Sequence, residues 1–203
     1  MKLHWSPRSP YVRKVDIVAH ETGLSELIER VRSPVFMTAM NPEVMRDNPL
    51  NKIPVLVLED GRALYDSLVI CLYLDSRHTG AKLAPLDGSR WWRLLQQHAL
   101  GNGLLDLLIL WRNERDRPEQ SRSRKHLDAF AAKVAAVLDG LEAHPPPPCR
   151  ETFDLAAITF GCALGYLDFR FADLEWRNHH PRLAAWEAEF AARPSARATM
   201  PHE

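Results

Sequence analysis

Between residues 11 and 24, Val12, Val15, Val18 and Ala19 recur at three- and four-residue intervals, the spacing of one face of a helix. Gly23 stands where such a helix would be capped at its C-terminal end. Ahead of it, residues 2–5 are short and partly apolar, as a strand would be, and Ser6, Pro7, Arg8, Ser9 and Pro10 make the intervening turn. Residues 27–31 predict a second strand, and residues 38–46 a short helix inside a polar, proline-containing stretch. The continuous run from Pro54 through Val55, Leu56, Val57 and Leu58 to Glu59 predicts a third strand. Asp60-Gly61 signals a hairpin turn, and residues 63–65 return as the partner. Asp66-Ser67 then opens a helix in which Leu68, Cys71, Leu72 and Asp75 fall at helical spacing. The expected order is β, α, β, α, β, β, α.

After residue 80 the pattern changes. Residues 81–88 form a turn-rich linker with Pro85 and Gly88, and the remainder carries helical periodicity over 90–117, 121–144, 155–171 and 181–193. Four consecutive prolines, Pro145 to Pro148, cannot be helical, because each lacks an N–H and crowds the preceding turn. They predict a stiff connector. A run of mixed elements followed by a run of helices argues two packed parts. An α/β domain is expected over residues 1–80, the linker over 81–88, and an all-α domain over 89–203. No internal repeat is visible.

Charge narrows the classes of partner. Lys plus Arg and Asp plus Glu each number 26, so the formal charge is zero. Residues 1–80 hold ten of each sign, so the balance is local as well. A nucleic-acid binder would show a basic excess or stripe, and none is present. Low net charge leaves little colloidal repulsion, which makes self-association easier; a homodimer is expected. No stretch approaches the roughly 20 apolar residues of a membrane span. The start, Met1-Lys2-Leu3-His4-Trp5-Ser6-Pro7, lacks the apolar run of a signal peptide. A soluble, cytoplasmic protein with neither nucleic-acid nor membrane partners is expected.

Cys71, Cys149 and Cys162 are odd in number and widely spaced, which fits neither a disulfide framework nor a zinc ligand set. Cys71 and Cys162 lie among apolar neighbours and read as buried structural thiols. No metal site is expected; His179-His180, before Pro181, reads as a loop. Ser9 stands at the start of the first helix with Pro10 in its first position. Two readings are open there. Ser9 caps the helix, or the unpaired N–H groups and positive dipole end at that place also serve a bound anion or thiolate.

Four segments carry a resemblance. Ser9-Pro10-Tyr11-Val12 looks like the Cys-Pro-Tyr-Cys motif of glutaredoxins with both cysteines replaced. Asn48-Pro49-Leu50-Asn51-Lys52-Ile53-Pro54-Val55-Leu56 resembles the Asn-Pro-Leu-Gly-Lys-Val-Pro-Val-Leu segment of glutathione transferases. Tyr65-Asp66-Ser67 matches that family's acidic-Ser pair, and Leu164-Gly165-Tyr166-Leu167-Asp168-Phe169-Arg170 is similar to a segment of the helical domain of bacterial members. In order, and spanning nearly the whole chain, they identify a resemblance to serine-type bacterial glutathione S-transferases. The implied fold is a thioredoxin-like N-terminal domain followed by an all-α C-terminal domain.

The resemblance implies glutathione as co-substrate, with its thiol near Ser9, Lys52 facing the glycyl carboxylate, and the Ile53 backbone, turned by a cis Ile53-Pro54 bond, against the cysteinyl backbone. A trans proline opening an edge strand is the alternative there. Asp66 would pair with the γ-glutamyl ammonium and Ser67 would receive its carboxylate, although the pair also reads as a simple helix cap. A small electrophile would meet Arg8, Tyr11, Trp111 and Tyr166, with Phe169 a further candidate; at helical spacing these aromatics also read as core. Trp91 and Trp92 read equally as core or as dimer contacts. The implied activity is detoxifying conjugation. The alternative is a weak or inactive glutathione-binding or protein-interaction module on the same fold.

Three departures from the family pattern matter. With Ser9 and Val12 in place of cysteines, a dithiol redox cycle through this motif is impossible. Asp154 and Ala157 replace a Ser/Thr and an Asp at the start of a helix, so Asp154 can cap it but the reciprocal half of the capping box is missing. Asn51 replaces a Gly, a mild change because Asn tolerates left-handed turns.

Overall fold

Leu3 and His4 on the first strand, β1 (Lys2–Trp5), are buried at the centre of a four-stranded sheet. In this computed structural model residues 1–85 and 88–203 are described; Leu86 and Asp87, part of the expected linker, lie outside the described residues. By mutual contact the chain forms two units, Met1–Asp87 with Pro194–Glu203, and Gly88–Arg193. The expectation had kept residues 194–203 with the helices. They belong with the first unit because the short helix α9 (Pro194–Ala198) packs on the first helix, α1 (Pro10–Glu21), where Arg13 donates to Ala196 O and Ser195 Oγ donates to Glu21.

In the first unit β1 runs parallel to β2 (Glu29–Arg32) and antiparallel to β3 (Val55–Val57), which pairs antiparallel with β4 (Ala63–Leu64). The sheet order is β2-β1-β3-β4. Helices α1 (Pro10–Glu21) and α3 (Ser67–Ser76) pack together, and Val12, Val15 and Val18 of the one and Ile70 and Leu74 of the other are buried. The periodicity predicted one buried face for α1, yet Arg13, Lys14 and Asp16 are buried too. Asp16 accepts from the Trp5 indole at 2.6 Å and from Arg30 Nε at 2.9 Å.

Several boundaries differ from the pattern-based expectation. The helix expected over 38–46 is α2 (Pro42–Asp47), because Asn41 Oδ1 caps it by accepting from the Glu43 and Val44 N–H groups and Pro42 suits its first position. The strand expected from Pro54 begins at Val55, and the hairpin after it closes through Leu58 N–H to Arg62 O with Gly61 at φ +84°.

The second unit is built from α4 (Gly88–Arg115), α5 (Arg124–Ala143), α6 (Leu155–Arg170), a short α7 (Trp176–His179) and α8 (Pro181–Ala191). The helix expected from residue 121 starts later, because Ser123 Oγ accepts the His126 N–H and caps at that point. Helix α6 is buried along nearly its whole length between α4 and α8. Asp154 Oδ1 accepts the Ala157 N–H at 2.9 Å, so the half capping box works in one direction. Gly161 in α6 faces the ring of Phe190 in α8. Among the described residues no single helix is long and apolar enough to cross a membrane; α6 and the stretch after it meet the composition only as a pair bent by 93°.

Candidate functional site

The register of the sheet sets which loops share an edge. His4 pairs with Val55 and Leu56 pairs with Leu64, both antiparallel. The C-terminal end of β1, the N-terminal end of β3 and the C-terminal end of β4 therefore lie at one end of the sheet. Ser9 follows the first, Lys52, Ile53 and Pro54 precede the second, and Asp66 and Ser67 follow the third. Six expected site residues from three distant segments thus come to one edge of the first unit.

Ser9 sits at the N-cap of α1 in extended conformation, and its Oγ accepts the Val12 N–H at 3.3 Å. A hydroxyl has one proton and two lone pairs, so capping leaves the O–H available to donate. No acidic residue lies in the first turn of α1, so nothing there offsets its positive end. Asp66 is the N-cap of α3, accepting the Leu68 N–H at 3.1 Å through Oδ1; its side chain is exposed, while Ser67 is buried in the first helical position. Both helix starts are thus capped by expected site residues, Ser9 and Asp66.

The Ile53-Pro54 bond is cis, and so is Tyr65-Asp66. Pro54 and Ile53 are buried, and the Lys52 side chain is exposed. Asn48, itself buried, holds this loop from within: its Nδ2 donates to Lys52 O at 2.9 Å and its Oδ1 accepts the Leu50 N–H at 3.1 Å. Asn51 takes φ +53°, the left-handed region the family's glycine would occupy. Its amide does what glycine cannot, accepting the Asn41 N–H and donating to Ala39 O.

The four expected electrophile contacts divide between the units. Arg8, in the first, is exposed and paired with Glu203 at 3.0 Å. Tyr11, also in the first, is half-buried with the Lys14 ammonium 5.9 Å from its ring centroid. In the second unit Trp111 packs on Phe171 at 4.9 Å, and Tyr166 is buried with its hydroxyl 3.5 Å from Arg112 Nη1. The Tyr166 surroundings match the core reading that the sequence left open. Trp91 is half-buried and Trp92 is exposed.

A cavity of about 140 Å³ adjoins Ser9, lined by Trp5, Pro7, Arg13, Asp16 and Thr199 among others. It is smaller than the roughly 300 Å³ at which small-molecule pockets begin. Burial pushes the carboxyl of Asp16 above the usual carboxylate range, against the opposing pull of Arg30 and the Trp5 hydrogen bond. All three cysteines are buried, and burial, helped by Glu189, pushes the Cys149 thiol up to about 12. Among the described residues no group of three or more His, Cys, Asp or Glu side chains could hold a metal ion. His180 instead pairs with Asp139 and the Trp176 carbonyl.

One cluster escaped the sequence reading. His4, buried in β1, lies 2.8 Å from Ser33 Oγ through Nδ1 and 2.7 Å from Asp47 Oδ2 through Nε2. Its partners are 29 and 43 residues away, and no local motif links such positions.

The N-terminal domain model of the glutathione S-transferase family matches residues 8–77, and the C-terminal domain model matches residues 124–189. The GST-like protein YibF of Escherichia coli K12 is 32% identical over 204 residues, covering 99% of this chain and 98% of the relative. A glutathione transferase family member from Pseudomonas fluorescens Pf-5, solved with bound glutathione, superimposes at TM-score 0.96 with 45% identity, covering 100% of this chain and 99% of that one. A glutathione S-transferase from Methylobacillus flagellatus KT, solved with glutathione, superimposes at 0.89 with 37% identity and 99% coverage of each chain. Both domain models match in order, and the relatives run the full length with the same thioredoxin-like and helical parts; the chain belongs to the glutathione S-transferase family.

Proposed function

We propose that this protein is a transferase that binds glutathione along the sheet edge of its first unit and activates the thiol at Ser9 for attack on a small electrophile. The observation that carries the reading is the convergence of Ser9, Lys52 to Pro54, and Asp66 with Ser67 at one end of the sheet. Bound glutathione in the two similar structures supports it.

Each group has a separable task in this reading. Lys52 faces the glycyl carboxylate, and the Ile53 backbone pairs with the cysteinyl backbone. Asp66, with Oδ1 engaged in the cap, offers Oδ2 to the γ-glutamyl ammonium; Ser67 and the start of α3 receive the γ-glutamyl carboxylate. The thiol proton leaves to solvent and the thiolate accepts the Ser9 hydroxyl proton as a hydrogen bond. The sulfur then forms a bond to the electrophilic carbon while the leaving group departs with its electron pair, or the pair moves into the acceptor in an addition.

Magnitudes support this division. A charge-assisted hydrogen bond contributes about 1.5 to 3 kcal/mol and a helix terminus about 0.3 to 1 kcal/mol. At about 1.4 kcal/mol per unit, a thiol of ordinary pKa about 8.5 moves down by one to three units, enough for a thiolate at neutral pH. Ser9 and Val12 provide no dithiol, so reductase chemistry through this motif is not proposed.

A homodimeric, cytoplasmic, detoxifying enzyme is part of the same proposal. Near-zero net charge and the exposed Trp92, Leu100 and Leu110 of α4 support self-association.

Titration calorimetry with glutathione, followed by conjugation assays with halonitroaromatic electrophiles on wild type and Ser9→Ala, tests the reading. Micromolar to millimolar binding is expected, with turnover falling at least about ten-fold in Ser9→Ala. Full activity in the variant removes Ser9 from the mechanism, and absence of binding at millimolar glutathione favours an interaction module on this fold.

A further inference from the structure

Helix α2 ends in Asp47, and an acidic side chain at the C-terminal end of a helix stands against the dipole and beside unpaired carbonyls. Its carboxylate is held by the imidazole of His4, which is 1% exposed and carries a partner on each ring nitrogen. A buried imidazole so satisfied is a fixed point in the sheet. With Asp47 ionised, Nε2 is the donor to it. Nδ1 pairs with Ser33 Oγ, and the Ser33 hydroxyl has Val31 O as a second partner, at 3.0 Å.

The backbone of the same residue pairs with Val55, the first residue after Pro54. His4 therefore grips both ends of the segment from Asp47 to Val55, the near end by its side chain and the far end by strand pairing. Between these grips Asn48 and Asn51 cross-tie the loop, and Lys52, Ile53 and Pro54 lie inside it.

We propose that His4, acting through Asp47, is a positioning residue for the glycyl and cysteinyl part of the glutathione site. It touches no ligand; it fixes the loop that does, so the ordering of that loop is not charged against binding. The inference rests on the glutathione reading above for its functional part, and on geometry alone for the clasp.

Asp47→Ala opens the clasp at a partly exposed position without disturbing the buried strand, and Asp47→Asn keeps an oxygen that accepts the Nε2–H. Two measurements on the whole protein decide. Amide hydrogen exchange in Asp47→Ala is expected to quicken over residues 48–54 while β1 and α1 keep their protection, with Asp47→Asn close to wild type. In steady-state conjugation the KM for glutathione is expected to rise about ten-fold in Asp47→Ala, with kcat at saturating glutathione within about two-fold and Asp47→Asn restoring most of the loss. Unchanged exchange over 48–54, or a loss spread evenly through the first unit, overturns the clasp. Selective loop exchange with an unchanged KM overturns its role in the site. If wild type fails to bind glutathione, the functional reading falls while the exchange result still decides the clasp.

Discussion

A Cβ built on Gly161 would lie 2.3 Å from the ring carbons of Phe190, so α6 and α8 touch at a point where only a hydrogen fits. Both residues are buried, as are Leu164 on α6 and Leu183 on α8. Gly161→Ala is expected to destabilise the protein by about 1 to 3 kcal/mol, the usual range for overpacking a core. Gly140 in α5 is the control: nothing lies within 4 Å of an added Cβ, so Gly140→Ala is expected to stabilise by about 0.5 to 1 kcal/mol. Denaturant unfolding of the two variants checks the opposite signs.

A substitution at Asp66 separates its capping role from the recognition proposed for it. Asn is as good an N-cap as Asp, so Asp66→Asn keeps the acceptor for the Leu68 N–H while removing the charge. Stability is expected within about 0.5 kcal/mol of wild type. Glutathione affinity is expected to fall about ten-fold, or about 1.4 kcal/mol. Calorimetry and thermal melts on the same sample read both quantities, and an unchanged affinity removes Asp66 from the ammonium site.

Asp16 gives a pH dependence with a definite sign. Its carboxyl is raised in the folded state, by burial first and despite Arg30 and Trp5, so between the unfolded and folded values the native protein holds the extra proton. The contribution to stability is then undiminished below the unfolded carboxylate value and is lost as pH rises through the raised one. The stability difference between wild type and Asp16→Asn is expected to fall as pH climbs through that window and to be flat beyond it. A difference that grows with rising pH contradicts the assignment.

What the sequence disclosed follows the range of the forces involved. Local signals were legible: Ser9 before Pro10 marks the start of α1, Asp60-Gly61 marks the hairpin, and Asp154 marks α6. The shared edge of Ser9, Pro54 and Asp66 was reached through family resemblance rather than through spacing, because it depends on sheet register. His4 with Ser33 and Asp47 was not legible, since tertiary packing alone brings those side chains together. The burial of Arg13 and Asp16 on α1 was hidden for the same reason. Apolar periodicity predicts the face made of valines, while the polar face is covered by Trp5, Arg30 and Ala196 from elsewhere in the chain.

The return of residues 194–203 to the first unit makes that unit discontinuous in the chain. The helical unit is an insertion, entered and left through the same neighbour. Emerging from a ribosome, the first 87 residues can pair their strands early. The outer side of α1, with Arg13 and Glu21, stays uncovered until every helix of the insertion has been made. A chain stopped short of residue 194 therefore exposes that side of α1.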